Sequence, residues 1–362
     1  MKAIVLAGGE GTRLRPLTAT TPKQLLPIAE VPMLERVLSQ LAGHGVDEVV
    51  LSLGYRPDAF MAAYPEGVAG GVRLSYAVEP EPLDTAGAVR FAADVVGVQG
   101  TFVVVNGDVL TDVDISGLVA FHRRHGAAAT IHLTAVDDPS RFGVVPVDHE
   151  DRVVSFIEKP PPGGAPTNLI NAGTYVLEPE VLERIPRGRR ASIERETFPA
   201  LAVQGVLYAQ ASDAYWLDIG TPDAYLRANF DLLDGTRGSL PAPGARSLAT
   251  QVWALGAPEV RGELGPCTLV GDGAQTAAGS SVRRSVVGAR CIVEASAVVE
   301  GSVLLAGARV GAGARVFGSI VGHGSCVGER CELEPLTVIG DGQILCPRTH
   351  LVAGRVPAEV AK

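Results

Sequence analysis

Residues 3–16 read AIVLAGGEGTRLRP. The stretch opens on an aliphatic run, and such a run suits a strand buried on both faces of a parallel sheet. Gly8, Gly9 and Gly11 follow at once. A glycine loop at the carboxyl end of a buried strand lets backbone N–H groups come close to an anion and point at it. The pattern starts like the dinucleotide fingerprint G-x-G-x-x-G, with Gly9 and Gly11, but Leu14 stands where the third glycine belongs. Nor is it the P-loop G-x-x-x-x-G-K-[ST]. Arg13 lies in the loop, and Lys23 follows in TPKQLLPI. Close backbone approach combined with fixed positive charge is what a triphosphate requires.

Outward from the loop, the chain to about residue 235 alternates short apolar runs with amphipathic stretches. EVVLSLGY (48–55), TFVVVNGD (101–108) and ATIHLTAV (129–136) read as further buried strands. Pro32-Met33-Leu34 predicts a helix start, with Gly43 or Gly45 its end. Thr221-Pro222 predicts another, as N-cap and first helical residue, ended by Gly235. Strand and helix in alternation give a Rossmann-like, doubly wound α/β sheet with ligands at the carboxyl ends of its strands.

Residues 236–262 are rich in Pro, Gly and Ala and read as a linker with little structure of its own. From 263 to about 355 the period becomes six. Val270, Thr276, Val282, Val287, Val293, Val299, Leu305, Val310, Val316, Val321, Val327, Leu333 and Ile339 recur at steps of six or five. Small residues follow them at the corners, as in VGARC and VGAGA. This is the hexapeptide pattern of a left-handed parallel β-helix. A solenoid of this kind has flat faces and open ends that serve assembly, so a homo-oligomer is expected.

The 362 residues carry a formal charge of -9 and 46% hydrophobic residues. Disorder is excluded on that composition, and nucleic acid and anionic membrane are not the expected partners. The five cysteines all lie in the last third and none forms C-x-x-C. They read as reduced, packed thiols of a cytoplasmic protein. The opening apolar run is too short for a signal sequence, and none elsewhere approaches the ~20 residues of a membrane span.

The loop and its sequel, GGxGTRLxPLT followed by PKxLLP, closely resemble the signature of the sugar-phosphate nucleotidylyltransferases. EPLDTAGA, VNGD, SRFGVV, FIEKP, INAGTYVLEPEVL, SIERETFPAL and YWLDIGTPDAYL occur in the order of that family. The nearest likeness is to its mannose-1-phosphate guanylyltransferases. The resemblance implies a GT-A-like nucleotidyltransferase domain that joins a nucleoside triphosphate to a sugar 1-phosphate and releases pyrophosphate. It implies that Leu6, Ala7, Gly8, Gly9, Gly11, Thr12, Thr85, Ala86 and Gly107 line the nucleotide, with Arg13 and Lys23 on its β- and γ-phosphates. It also implies that Asp108 and Asp218 hold a catalytic Mg²⁺. VVVNGD ends a buried strand, and two carboxylates with phosphate oxygens make the hard, oxygen-only site that this ion prefers. Lys159 would meet the sugar phosphate. Glu158 and Asn171 would bond sugar hydroxyls, with Gly143 and Gly173 giving backbone access beside the ring.

Glu79 stands where related thymidylyl enzymes carry glutamine. A carboxylate only accepts hydrogen bonds, and guanine offers two adjacent donors, so Glu79 favours GTP. Two residues depart from the guanylyl pattern. Asp84 replaces the glycine of PLGTAG, and Gln24 replaces the second proline of PKPL. Asp84 would adjoin the nucleotide or sugar, which leaves glucose, heptose and cyclitol phosphates open beside mannose 1-phosphate. Thymidylyl or adenylyl transfer is the nearest rival reading. A non-catalytic sensor of nucleotide sugars is disfavoured by retention of Arg13, Lys23, Asp108, Lys159 and Asp218. Acyl transfer by the β-helix would need His323 or His350 in a coil cleft.

Overall fold

The strand Lys2–Leu6 lies at the centre of a ten-stranded mixed sheet. It pairs in parallel with Glu48–Leu53 on one side and with Phe102–Asn106 on the other. Chain order therefore reverses about this strand, and the crevice of an open α/β sheet forms at the carboxyl ends of strands flanking such a reversal. Val72–Val78 extends the parallel half. Leu169–Leu177 runs antiparallel to Phe102–Asn106 and to Ala129–Ala135, which makes the sheet mixed. Ile4, Val104, Ile131 and Tyr175 are fully buried in its core. The computed structural model describes residues 1–235, 237 and 240–357.

The expected helix ends are observed. One helix is Met33–Gly43, with Gly45 just beyond it at φ +78°. The other is Pro222–Leu233, where Thr221 Oγ1 accepts from the amide of Ala224 and Gly235 follows at φ +81°. The amphipathic helix Asp84–Val96 packs on the central strands.

The chain divides into two compact units. One joins Met1–Gly9 to Leu34–Asp218, and the second joins Glu10–Met33 to the chain from Ile219 onward. The division thus falls inside the glycine loop, between Gly9 and Glu10.

In the second unit, three sheets of eight, six and six strands stack into a β-helix; their strands run parallel except for the outermost strand of the eight, which is antiparallel to its neighbour. Val270, Val287, Leu304, Val321, Ile339 and Val356 succeed one another across one sheet, so each coil takes seventeen or eighteen residues. The inward residue at one expected position is Leu304, not Leu305; Leu304 pairs with Val287 and Val321. Aliphatic, alanine and cysteine side chains fill the interior, including Cys291 and Cys331. The five thiols are free; Cys346 is exposed rather than packed.

The stretch expected as a linker has structure of its own. Arg246–Ala249 and Val252–Ala254 pair with each other, and Val252–Ala254 and Glu259–Val260 start two of the β-helix sheets. Residues 236, 238 and 239 of that stretch lie outside the described residues.

One face of the coil differs from the other two. Its strands carry aliphatic pairs, Leu269-Val270, Val286-Val287, Val303-Leu304, Ile320-Val321 and Val338-Ile339. The first member of each pair points outward, yet none is more than 1% exposed. Within the same unit, residues 16–30 and the helix Pro222–Leu233 reach this part of the coil. Ala289 donates to Glu30 (2.8 Å), and the Arg284 guanidinium lies 5.1 Å from the centre of the Phe230 ring.

Candidate active site

In the first unit, the sheet delivers the crevice. The amide of Gly107 donates to the carbonyl of Leu6, and that of Ala7 to Ser52, which locks three strand ends together. Gly8 and Gly9 emerge there, exposed. A Cβ on Gly8 would sit 3.4 Å from both Glu79 Oε1 and the amide of Gly54, so the backbone here runs close to its neighbours.

Asp108 occupies the turn after Phe102–Asn106, and Asp218 ends the strand Trp216–Asp218. These two, 110 residues apart in sequence, meet through a short antiparallel ribbon in which Asp218 pairs with Val109. Both carboxylates therefore lie at the same end of the ribbon, one residue out of register. Each is half-buried. Among the described residues no group of three or more His, Cys, Asp or Glu could hold a metal. Two carboxylates suit an ion that takes its remaining ligands from phosphates and water, as Mg²⁺ does.

A second group of side chains gathers about Tyr175. Its hydroxyl accepts from Asn171 Nδ2 at 2.9 Å, and Asn171 Oδ1 accepts from the amide of Gly173 at 3.0 Å. Burial first, then the charges of Glu194, Glu158 and Asp108, push the Tyr175 hydroxyl far up in pKa, against the Asn171 hydrogen bond. The phenol is therefore a neutral hydrogen-bonding post among carboxylates. Gly143 pairs with Glu158, and a Cβ on Gly143 would lie 3.1 Å from Glu158 Oε2. Gly173 has φ +76°, and a Cβ there would collide with Asn106 Nδ2 at 2.6 Å. Trp216 Nε1 donates to the carbonyl of Ala172, and its ring meets Phe142 edge-on. Lys159 is exposed, with Nζ 3.2 Å from Glu158 Oε1.

Glu79 is half-buried and braces the loop entering Asp84–Val96. Oε1 accepts from Ser52 Oγ and Oε2 from the amide of Leu83, both at 3.0 Å. Each carboxylate oxygen has a second lone pair beyond those contacts. Asp84 has φ +60°, the left-handed region where glycine is at ease. That accounts for the glycine at this place in the guanylyl pattern. The Asp84 carboxylate turns to the amide of Thr85 (2.9 Å) and toward Arg190 (3.6 Å).

Sequence reasoning missed Glu194. Its Oε2 accepts from Thr85 Oγ1 at 2.6 Å and from Ser192 Oγ at 2.9 Å, which ties the expected nucleotide-lining residue Thr85 to the carboxylate group about Tyr175. The SIERE stretch was the available signal, since its serine is a helix cap that leaves the following glutamate facing inward.

In the second unit, Gly11 at φ +63° precedes the short turn Thr12–Leu14. Leu14 is fully buried while Thr12 and Arg13 are exposed. A Cβ on Gly11 would press on Thr18 and on Lys23 Cβ, 3.1 and 3.2 Å away, so Lys23 lies directly against the loop. Gln24 is buried, and its Oε1 has no hydrogen-bond partner among the described residues. His350 is exposed and paired with Glu334, and His323 donates its backbone amide to Asp341.

Residues 2–235 match the nucleotidyl transferase family, and residues 264–356 match the GMPPB C-terminal domain. The mannose-1-phosphate guanylyltransferase of Mycobacterium tuberculosis is 45% identical over 67% of this chain and 67% of its own length. The mannose-1-phosphate guanyltransferase of Aspergillus fumigatus is 43% identical over 62% of each chain. A probable mannose-1-phosphate guanylyltransferase of Oryza sativa is 36% identical over 98% of this chain and 95% of its own. Among solved structures, HddC of Yersinia pseudotuberculosis complexed with GMP-PN is 32% identical with a TM-score of 0.55, covering 63% of this chain and 97% of that one. A putative glucose-1-phosphate thymidylyltransferase from Bacillus anthracis gives 29% and 0.57, over 63% and 94%. The glycine loop at the strand-order reversal and the hexapeptide coil thus have their counterparts in one group of relatives, and the chain belongs to the mannose-1-phosphate guanylyltransferase family of nucleotidyl transferases.

Proposed function

We propose that the chain transfers the guanylyl group of GTP to mannose 1-phosphate, giving GDP-mannose and pyrophosphate. The observation that carries this reading is the meeting of Asp108 and Asp218 at one end of a ribbon that leaves the sheet beside the glycine loop's strand. The sugar phosphate is already nucleophilic, so no side-chain nucleophile is required. Its oxygen attacks the α-phosphorus in line as the bond to the β-phosphate oxygen breaks. The protein's task is to hold two mutually repelling anions in line and to neutralise charge on the phosphoryl oxygens.

In this reading Lys159 holds the sugar phosphate, and Arg13 and Lys23 hold the β- and γ-phosphates and the departing pyrophosphate. Glu158 and Asn171 position the sugar hydroxyls, and the positive φ at Gly173 keeps that wall of the pocket free of a side chain. Asp108 and Asp218 hold Mg²⁺, which supplies charge neutralisation at the nucleotide phosphates. Thr85 and Ala86, at the start of the helix Asp84–Val96, line the nucleotide with Gly107. The chain self-associates through the coil, whose flat faces and open ends suit assembly, and the free thiols suit a reducing cytoplasm.

Base choice rests on Glu79. The test is pyrophosphate release from each of GTP, ATP, UTP and dTTP with mannose, glucose and heptose 1-phosphates. GTP with mannose 1-phosphate is expected to lead by about tenfold or more, the worth of one hydrogen bond from the base to a charged group. Glu79→Gln is expected to narrow that lead over dTTP. A tenfold preference for UTP or dTTP in the unaltered chain contradicts the base assignment.

A further inference from the structure

Residues 27–32 form a tight hairpin just after Lys23, with Pro27-Ile28 paired to Val31-Pro32. Its two turn residues, Ala29 and Glu30, have φ +46° and +68°. Positive φ at both places is what a type I′ turn needs, and Asn-Gly is the usual pair for it. Ala and Glu are strained there, so the surroundings must hold them. The Ala29 amide donates to Asn229 Oδ1 at 2.7 Å. Asn229 is fully buried and donates to the carbonyl of Tyr225, whose hydroxyl donates to Pro27.

Glu30 reaches the β-helix. Its Oε2 accepts from the Ala289 amide at 2.8 Å, and its Oε1 is 2.8 Å from where a Cβ on Gly288 would sit. Burial pushes this carboxyl up, against the hydrogen bond and the charges of His323 and Arg290. A second tie lies upstream. Thr20 Oγ1 donates to Asp341 Oδ2 at 2.5 Å, and Pro16 packs on Gly340. The coil positions of the two ties are three rungs apart along one sheet, on the order of 14 Å at the usual strand spacing. Lys23 lies between the ties, and the Gly11 loop rests on Lys23.

We propose that Glu30 and Thr20 are positioning residues for triphosphate binding: they fasten the Lys23 segment to the β-helix at two points, so that the coil sets where the loop's cations stand. This rests on the functional reading above but is tested apart from it. The full chain is titrated with GTP and Mg²⁺ by calorimetry, beside steady-state kinetics and thermal unfolding. Glu30→Ala is expected to weaken GTP binding about fivefold or more, the usual size of a coupling between sites. The KM for mannose 1-phosphate should move less than twofold. Glu30→Gln keeps an acceptor oxygen for Ala289 and removes a half-buried charge. It is expected to restore GTP affinity, with an unfolding temperature equal to or above that of the unaltered chain. Thr20→Val, at an exposed site, should also weaken GTP binding, and it decides alone if Glu30→Ala does not fold.

Unchanged GTP affinity in folded Glu30→Ala, or in Thr20→Val where it decides alone, overturns the proposal. So does equal loss in Glu30→Ala and Glu30→Gln. An unaltered chain that binds GTP yet forms no product would refute the functional reading and leave the anchor to be judged on the isotherms.

Discussion

Asp108→Asn is expected to lower turnover by ~10²–10³-fold, the usual cost of removing one preorganised charge partner of a phosphoryl transition state. The fold should survive it. Asp108 sits in a turn whose backbone is fixed by the Gly107 amide on Leu6, a bond that asparagine leaves in place. Asparagine also fits the same space. Asp108, Glu158 and Glu194 all repel charge on Tyr175, so this corner of the unit carries an excess of carboxylates. Removing one of several like charges relieves repulsion. The expected pattern is therefore activity lost and unfolding temperature unchanged or raised. Steady-state kinetics beside thermal unfolding checks it. Activity within about threefold of the unaltered chain would remove Asp108 from the metal-holding role, and parallel loss of activity and stability would make it structural.

Arg13→Ala is expected to lower kcat/KM for GTP by a similar ~10²–10³-fold. Its neighbour two residues on supplies the contrast. Arg15 pairs with Glu10 at 3.0 Å on the surface, and Arg15→Ala should change activity little, since an exposed pair of this kind contributes little. Arg13 is exposed beside fully buried Leu14, so alanine there removes charge without disturbing packing. Equal effects of the two substitutions would mean that loop charge in general matters, rather than a phosphate contact by Arg13.

Much of this was legible from local pattern. The strand-then-glycine reading of residues 3–11 placed the crevice, because a buried parallel strand and a glycine turn are both short-range signals. Asp108 and Asp218 could be named from their strand-end contexts, although the register that joins them is visible only in the ribbon. The hexapeptide period gave the coil, with a one-residue slip at Leu305 because Leu304-Leu305-Ala306 offers two equivalent aliphatics in succession. The aliphatic pairs at every third hexapeptide were a further readable signal: a coil face that needs apolar residues on both sides is a covered face.

The rest depended on contacts distant in sequence. Glu30 and Ala289 are 259 residues apart, and nothing in PIAEVP announces the partner. The segment 10–33 therefore read as part of the sheet domain, whereas it clusters with the β-helix unit. Residues 246–260 looked like linker because strands of two to four residues among Pro and Gly have no period to detect. Asp84 looked like an added charge beside the substrate. Its positive φ shows a backbone requirement at that position, met by an aspartate turned to its own helix.

Nucleotidyl transfer passes the α-phosphorus of GTP to the sugar phosphate. The most direct measurement uses GTP labelled at either the α- or the γ-phosphorus, incubated with the full chain, Mg²⁺ and mannose 1-phosphate. The α-label is expected in GDP-mannose and the γ-label in pyrophosphate, in equal amounts and only when the sugar phosphate is present. Label from the γ-position in inorganic phosphate or on the sugar, or release of pyrophosphate without a sugar nucleotide, would contradict it.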